Sequence, residues 1–327
     1  MISVSAPGKV ILVGEHAVVF GRPALAVPVR QVRATATVTA PPVPLPKTGR
    51  AKPISVNWQA RIKIEAPDIG LTSDLGSLLS RHSPDPLAAA ITGVFSTLGI
   101  ASPPPMNIHV SSTIPVASGL GSGAAVSVAI IHAVAEYLGQ PLPDDQVSDL
   151  AYEVEKIHHG TPSGIDNTVI AFGTPVFFIK NSPAERFHVG TPFTLVIGDT
   201  GISAPTKESV GDVRRLWQSE PERWEKVFDR IKEIVHQARQ AIETGDPADL
   251  GPLMDENHAL LQLLTVSSPE LDRLVLAARH ADALGAKLSG GGRGGNMIAL
   301  VHKENAPAVA EALVSAGARR TIITEIS

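Results

Sequence analysis

The chain has 327 residues, of which 43% are hydrophobic and 18% charged, with a formal net charge of −4. This length buries a substantial core and suggests about two domains, and the composition excludes a disordered chain. The charge gives no support to a nucleic-acid or membrane surface, and the absence of cysteine excludes a disulfide framework, a thiolate metal site and a Cys nucleophile.

The first segment, M-I-S-V-S-A-P-G-K-V-I-L-V-G-E-H, has no positive leader followed by a long apolar run and a small-residue cleavage site. No stretch reaches the length of a membrane span, so the expected location is the cytoplasm. Ile2–Ser5, Val10–Val13, Val32–Thr39 and Ile54–Ile64 are rich in β-branched residues and read as strands. The proline-rich insert 40–53 reads as an exposed connection. Residues 86–99 have helical spacing and stop at A-S-P-P-P, before a strand at Met106–Ser111. Helices follow at Ala124–Leu138 and Asp144–His159, then a strand-like run at Thr168–Ile179.

Composition changes after the turn signal N-S-P, placing a domain boundary near residue 183. Beyond it lie a strand at Phe193–Ile197, a charged helical stretch at 207–243 and helices near 247–263 and 269–284. A Gly-rich turn, a strand at Met297–Val301, a helix at 305–316 and a strand at Thr321–Ile326 complete the chain. Strands and helices mix without regular alternation, which predicts an α+β fold.

The loop P-V-A-S-G-L-G-S-G-A-A (115–125) satisfies G-x-G-x-x-G/A through Gly119, Gly121 and Ala124. A dinucleotide-binding unit needs a strand after the helix and an acid about 20 residues on. Here a second helix follows, and Asp144 and Asp145 sit at its start, where acids cap. A Walker A loop is excluded because no G-K-[ST] occurs. What remains is a glycine loop leading to a helix N-terminus, with Ser122 as a cap, where unpaired N–H groups and the helix dipole favour phosphate. A helix with a supple lead-in is the plain alternative. A second run, K-L-S-G-G-G-R-G-G-N (287–296), is too rich in glycine for a simple turn and suggests close packing against a ligand or the first loop. Arg293 adds an anion-binding fork.

Residues 153–168 place Glu155 near the end of a helix and Asp166 in a constrained turn. An ionised Asp there can accept a proton from, or orient, a hydroxyl, and Glu155 suits Mg²⁺ beside phosphates; surface acids and an Asx turn are the ordinary alternative. Lys9 stands between a turn and an apolar strand that ends in Gly14-Glu15-His16. Glu155-x-x-His158 and Glu233-x-x-His236 match the helical element of di-iron bundles, but the strand-rich first third contradicts that architecture.

Four segments in order, P-G-K-V-I-L-V-G-E-H-A-V-V-F-G, P-V-A-S-G-L-G-S-G-A-A, H-G-T-P-S-G-I-D-N and K-L-S-G-G-G-R-G-G-N, resemble the GHMP small-molecule kinases. The first and third come nearest to the branch acting on mevalonate, and R-G-G-N is similar to its archaeal-type members. The matches run from residue 7 to 296. The resemblance implies a two-domain α+β GHMP kinase fold. Residues 1–183 would form an ATP-binding domain like domain 2 of ribosomal protein S5, with a left-handed β-α-β unit. Residues 184–327 would form a ferredoxin-like domain, with the site between the two. It implies transfer of the ATP γ-phosphoryl to the 5-hydroxyl of mevalonate in the route to isoprenoids, with Mg²⁺. By analogy Asp166 is the base or orienter and Lys9 supports it. Pro115, Val116, Ala117, Ser118, Gly119, Leu120, Gly121, Ser122, Gly123 and Ala124 cradle the nucleotide. Glu155 and Ser122 hold the metal, and Glu15, His16, Ser163 and Thr206 face the acceptor. Lys180, Lys207 and Arg293 are candidate cations for the substrate carboxylate, and a homodimer is the family expectation.

One departure stands out. The family reads G-L-G-S-S-A, whose second Ser lends a hydroxyl to Mg²⁺, and here that position is Gly123. Rival readings are a kinase for phosphomevalonate, homoserine or the 3-hydroxyl of mevalonate, a related decarboxylase, and an ATP-binding sensor without turnover.

Overall fold

A computed structural model describes residues 1–42, 58–115, 118–159, 162–203 and 206–327. The chain forms two compact units, each drawn from three segments. The first holds Met1–Ala6, Arg33–Thr113 and Gly123–Pro162; the second holds Pro7–Val32, Ile114–Ser122 and Ser163–Ser327. Two long strands, β1 (Ile2–Val13) and β2 (Ala24–Thr39), each give one part to either unit.

In the first unit Ala34–Thr39 of β2 pair antiparallel with β5 (Met106–Ser112). That strand runs parallel to β3 (Ile62–Ala66), which pairs antiparallel with β4 (Leu71–Asp74). Period-2 alternation in β3 puts Ile62 and Ile64 in the core and Lys63 and Glu65 outside. Helices α1 (Leu75–Leu79), α2 (Pro86–Thr97), α3 (Ser122–Tyr137) and α4 (Asp144–His159) complete it. Pro86 opens α2, and the Asp85 carboxylate accepts from the N–H groups of Leu87 and Ala88, so the free N–H groups of that end are capped. Helix α3 is apolar on nearly every face because it is buried on nearly every face, with Val128, Ile130, Ile131 and Val134 in the core. The amphipathic α4 packs on α2. A helix following α3 excludes the dinucleotide-binding unit, as the sequence indicated.

In the second unit Ala24–Ala26 of β2 pair with β6 (Val176–Phe178), which follows α5 (Ile165–Phe172) and pairs with β7 (Glu185–Arg186). Beyond these come β8 (Phe193–Asp199), α6 (Thr206–Ser219), α7 (Pro221–Thr244), α8 (Leu250–Leu263), α9 (Pro269–His280), β9 (Gly285–Ser289), β10 (Asn296–Val301), α10 (Ala306–Ser315) and β11 (Arg320–Ile326). The last four strands form an antiparallel sheet in the order β11-β8-β10-β9, packed against α8, α9 and α10. That order with β-α-β-β-α-β succession is ferredoxin-like. No helix among the described residues is long and apolar enough to cross a membrane.

Several elements differ from the sequence reading. Thr168–Ile179 is not one strand. Left-handed glycines at 164 and 173 bracket α5, so burial of Val169 and Ile170 on a helix overrides their β propensity, and only Val176–Phe178 is extended. Ile2–Ser5 and Val10–Val13 join into β1 through Ala6-Pro7-Gly8. In the expected strand Ile54–Ile64, residues 54–57 lie outside the described residues, Trp58–Arg61 form a 3-10 turn, and the strand starts at Ile62. Most of the proline-rich insert, from residue 43, also lies outside them. The stretch 207–243 is two helices, parted before Pro221.

Candidate active site

The Lys9 side chain, on β1, is only 5% exposed, and its Nζ lies 2.9 Å from Oδ1 of Asp166, which is 33% exposed. Asp166 sits in the first turn of α5, where the positive end of the helix dipole favours a carboxylate. A buried ammonium thus fixes a carboxylate that still reaches solvent. The Lys9 N–H donates to the Leu120 carbonyl at 3.0 Å, so the same residue anchors the glycine loop through its backbone. Gly121 has φ 77, and a Cβ there would stand 2.7 Å from Ile170 Cδ1 and 3.1 Å from Lys9 Cγ. Only glycine allows both the turn and the passage of the Lys9 stem. Val116 and Ala117 lie outside the described residues. The Ser118 hydroxyl donates to the Pro115 carbonyl, and Asn296 Nδ2 donates to the Ser118 carbonyl. Ser122, expected to cap a helix starting near Ala124, is itself the first residue of α3. The first N–H groups of that helix are the kind that bind anions.

The glycine run packs closely, as its composition implied. A Cβ on Gly295 would meet the Ser118 carbonyl at 3.4 Å, and one on Gly291 would meet Thr206 Oγ1 at 2.8 Å. The run therefore touches both the first loop and the start of α6. Arg293, at φ 58, is ion-paired with Asp212 and donates to the Thr265 carbonyl at 3.0 Å, at the edge of a hollow of about 320 Å³. Lys207 is exposed in the first turn of α6, and Lys180 is half-buried after β6. Ser163 is half-buried, and its Oγ accepts from the Ile165 N–H at 3.4 Å.

Glu15 and His16 are both buried. The Glu15 carboxylate is ion-paired with Lys287, whose Nζ also donates to the Leu288 carbonyl. Burial penalises both charges, raising the Glu15 pKa and lowering that of Lys287, and their mutual attraction opposes both effects. His16 Nε2 lies 3.1 Å from the Gly291 carbonyl. Burial depresses its pKa to about 4, with the charges of Arg293 and Lys287 adding to the effect. A neutral ring beside a carbonyl carries its proton on Nε2.

Glu155 is buried on α4. An ideal Cβ on Gly123 would sit 3.2 Å from its Oε1. A serine at 123 would crowd this carboxylate, so the missing hydroxyl gives room to an oxygen donor already present. Of the two E-x-x-H segments, the first ends at His158, whose side chain lies outside the described residues, and the second builds no metal centre. Glu233 pairs with Arg230 at 2.7 Å, the His236 ring lies 5.6 Å from Phe177, and no group of three or more His, Asp or Glu placed to hold a metal occurs among the described residues.

Lys287, Ser289 and Asn296 escaped the sequence reading as site residues. The one available signal was a lysine inside an otherwise apolar run just before three glycines, A-K-L-S-G-G-G. Ser289 ties β9 to β1, since its Oγ accepts from the Ile11 N–H at 3.1 Å and donates to the Ile11 carbonyl at 2.9 Å.

Residues 87–174 match the family model of the GHMP kinases N terminal domain, and 238–319 that of the GHMP kinases C terminal region. The mevalonate kinase of Thermococcus sibiricus is 36% identical over 338 residues, spanning 99% of this chain and 95% of the relative; that of Pyrococcus furiosus is 35% identical at the same coverage. The chain belongs to the GHMP kinases. It has their two-domain α+β fold. The crystal structure of L. major mevalonate kinase in complex with R-mevalonate matches with a TM-score of 0.80 and 28% identity, over 100% of this chain and 96% of that one. Phosphomevalonate kinase of Streptococcus pneumoniae, at 18% identity and a TM-score of 0.78, shares the fold.

Two outcomes follow from this geometry. Gly121→Val should displace the Lys9 stem and lower stability by roughly 1–3 kcal/mol, read by chemical denaturation, with loss of activity in the protein that remains folded. His16 and His258, both held neutral by burial with pKa values depressed from 6.5 to about 4, set the acid limit. His258 Nδ1 accepts from the Leu288 N–H, and its Nε2 lies 3.2 Å from Asp272. The unfolded chain binds more protons than the folded one between these values, so stability is lost as pH falls from about 6.5 to about 4. Melting curves across that window should show the fall, and His258→Asn should make it shallower.

Proposed function

We propose that the protein transfers the γ-phosphoryl of ATP to the 5-hydroxyl of mevalonate, giving 5-phosphomevalonate and ADP in the route to isoprenoids. The Lys9–Asp166 pair carries this reading, supported by the full-length likeness to mevalonate kinases and by the R-mevalonate held by the L. major enzyme. Phosphoryl transfer asks a protein chiefly for positioning and charge neutralisation. The substrate hydroxyl oxygen forms the new bond to the γ-phosphorus, the bond to the bridging oxygen of ADP breaks, and the hydroxyl proton passes to Asp166. Lys9 keeps Asp166 aimed, and its ammonium offsets negative charge developing at the transferred group.

Residues 115–124, with the N-terminus of α3, take the nucleotide phosphates. Glu155, with the space left by Gly123, is the residue fitted to Mg²⁺, and Ser122 is the second candidate ligand. This metal is typically held by one or two carboxylates plus substrate phosphates, so no larger cluster is needed. The ion, when bound, neutralises phosphate charge. The turn bearing Glu15 and His16, with Ser163 and Thr206, belongs to the acceptor side, and Lys180 and Lys207 are the cations for the substrate carboxylate that lack the engagement Arg293 has with Asp212. The proposed domains of 1–183 and 184–327 differ from the two compact units, the second of which also takes in 7–32, 114–122 and 163–183. A cytoplasmic homodimer is part of the same proposal.

ADP release assayed with mevalonate, phosphomevalonate, diphosphomevalonate and homoserine tests this. Turnover with mevalonate alone, yielding the 5-phosphate, is expected. Release of CO₂ and phosphate from diphosphomevalonate, or ATP binding without turnover of any substrate, would replace the reading with a decarboxylase or a sensor. Asp166→Asn should remain folded and lose roughly 100-fold or more in kcat.

A further inference from the structure

The turn Gly14-Glu15-His16 is held in an unusual backbone, with φ 104 at Gly14 and φ 61 at His16. A non-glycine residue stays in this region only where its surroundings over-determine it. Here they do so through one short segment, residues 287–291. Lys287 Nζ pairs with the Glu15 carboxylate, and the Gly291 carbonyl accepts a hydrogen bond from His16 Nε2. Ser289 completes the clamp on Ile11, four residues before Glu15 and two after Lys9. The Lys287 side chain is 0% and the Glu15 side chain 1% exposed. This carboxylate is shut away from bulk solvent, with Oε1 engaged by the ammonium and Oε2 buried without a hydrogen-bond partner. Such a pair adds little net stability relative to apolar residues of like volume, because desolvation offsets the attraction. Its place beside a strained turn points to another role.

We propose that Lys287 and Glu15 act together as positioning residues for the phosphoryl-acceptor side of the site. Lys287 holds Glu15, Glu15 fixes the turn, and the turn presents His16 and the end of β1; the Glu15 carboxylate itself makes no contact with the substrate. This rests on the kinase reading above and refines the place of Glu15 within it.

A double-mutant cycle tests the proposal in the full-length protein, with mevalonate and ATP varied separately and a melting curve for each variant. Wild-type turnover of mevalonate is the control that tests the kinase reading on its own; the cycle then tests the clamp. Glu15→Gln and Lys287→Met each strand a buried partner and should lower the melting temperature, whereas the double variant, with the charges removed together, should recover much of it. Assays run well below the lowest melting point. In the folded double variant kcat should fall roughly 10–100-fold through misplacement of the turn, with KM for ATP unchanged. The double variant should be no slower than the slower single variant. Additive losses, with Glu15→Gln raising KM for mevalonate equally in the presence and absence of Lys287, would overturn the proposal in favour of direct substrate contact. Full kcat in the folded double variant would overturn it in favour of a purely structural pair.

Discussion

The structure turns on the ion pair between Lys9 and Asp166. An ammonium at 5% exposure needs a partner, and its partner comes from the first turn of a short helix more than 150 residues later. That requirement fixes where α5 must start, and the left-handed Gly164 before it makes the start sharp. It also fixes the glycine loop, because Lys9 uses its backbone N–H on Leu120 while its stem passes over Gly121. One residue thus joins β1, the loop and α5. Sequence demands that look independent, a Lys in a strand, a glycine in a loop and an Asp after P-S-G-I, are one packing problem.

The second constraint is polar and lies between β1 and β9. Ser289 bridges both backbone groups of Ile11, Lys287 meets Glu15, and Gly291 meets His16. Glycines at 290–295 let this segment pass against Thr206 on one side and Ser118 on the other. The depressed pKa of His16, about 4, belongs to the same arrangement: a ring sealed from water stays neutral, and the charges of Arg293 and Lys287 add to the effect.

The helices were largely legible in the sequence because caps and apolar periods agree. Asp85-Pro86 announces α2, and Asp144 announces α4. The succession of α3 by α4 was enough to discard the dinucleotide fingerprint. Four motifs were legible, and the structure brings their residues into contact: Lys9 meets Asp166 and Leu120, and Lys287 meets Glu15. Legibility failed where tertiary contacts decide. Val169 and Ile170 carry strand propensity but are helical between two left-handed glycines. The strand Gly285–Ser289 reads locally as the lead-in to a glycine turn, yet pairing with β10 makes it extended. Lys287 could not be assigned from its neighbours, since the carboxylate it meets is not the nearby Asp282 but Glu15, at the other end of the chain. Gly123 looked like a lost ligand, and the proximity of Glu155 shows why a side chain there would be crowded.

The ammonium of Lys9 is the most direct test of the account, because the proposed mechanism asks it both to aim Asp166 and to meet charge on the transferred phosphoryl group. The measurement is kcat of Lys9→Met with mevalonate and ATP, alongside ATP affinity and a melting curve. The account predicts a folded protein with ATP affinity near that of the parent and kcat lower by roughly 100-fold or more. A folded Lys9→Met protein turning over at the parental rate would contradict it.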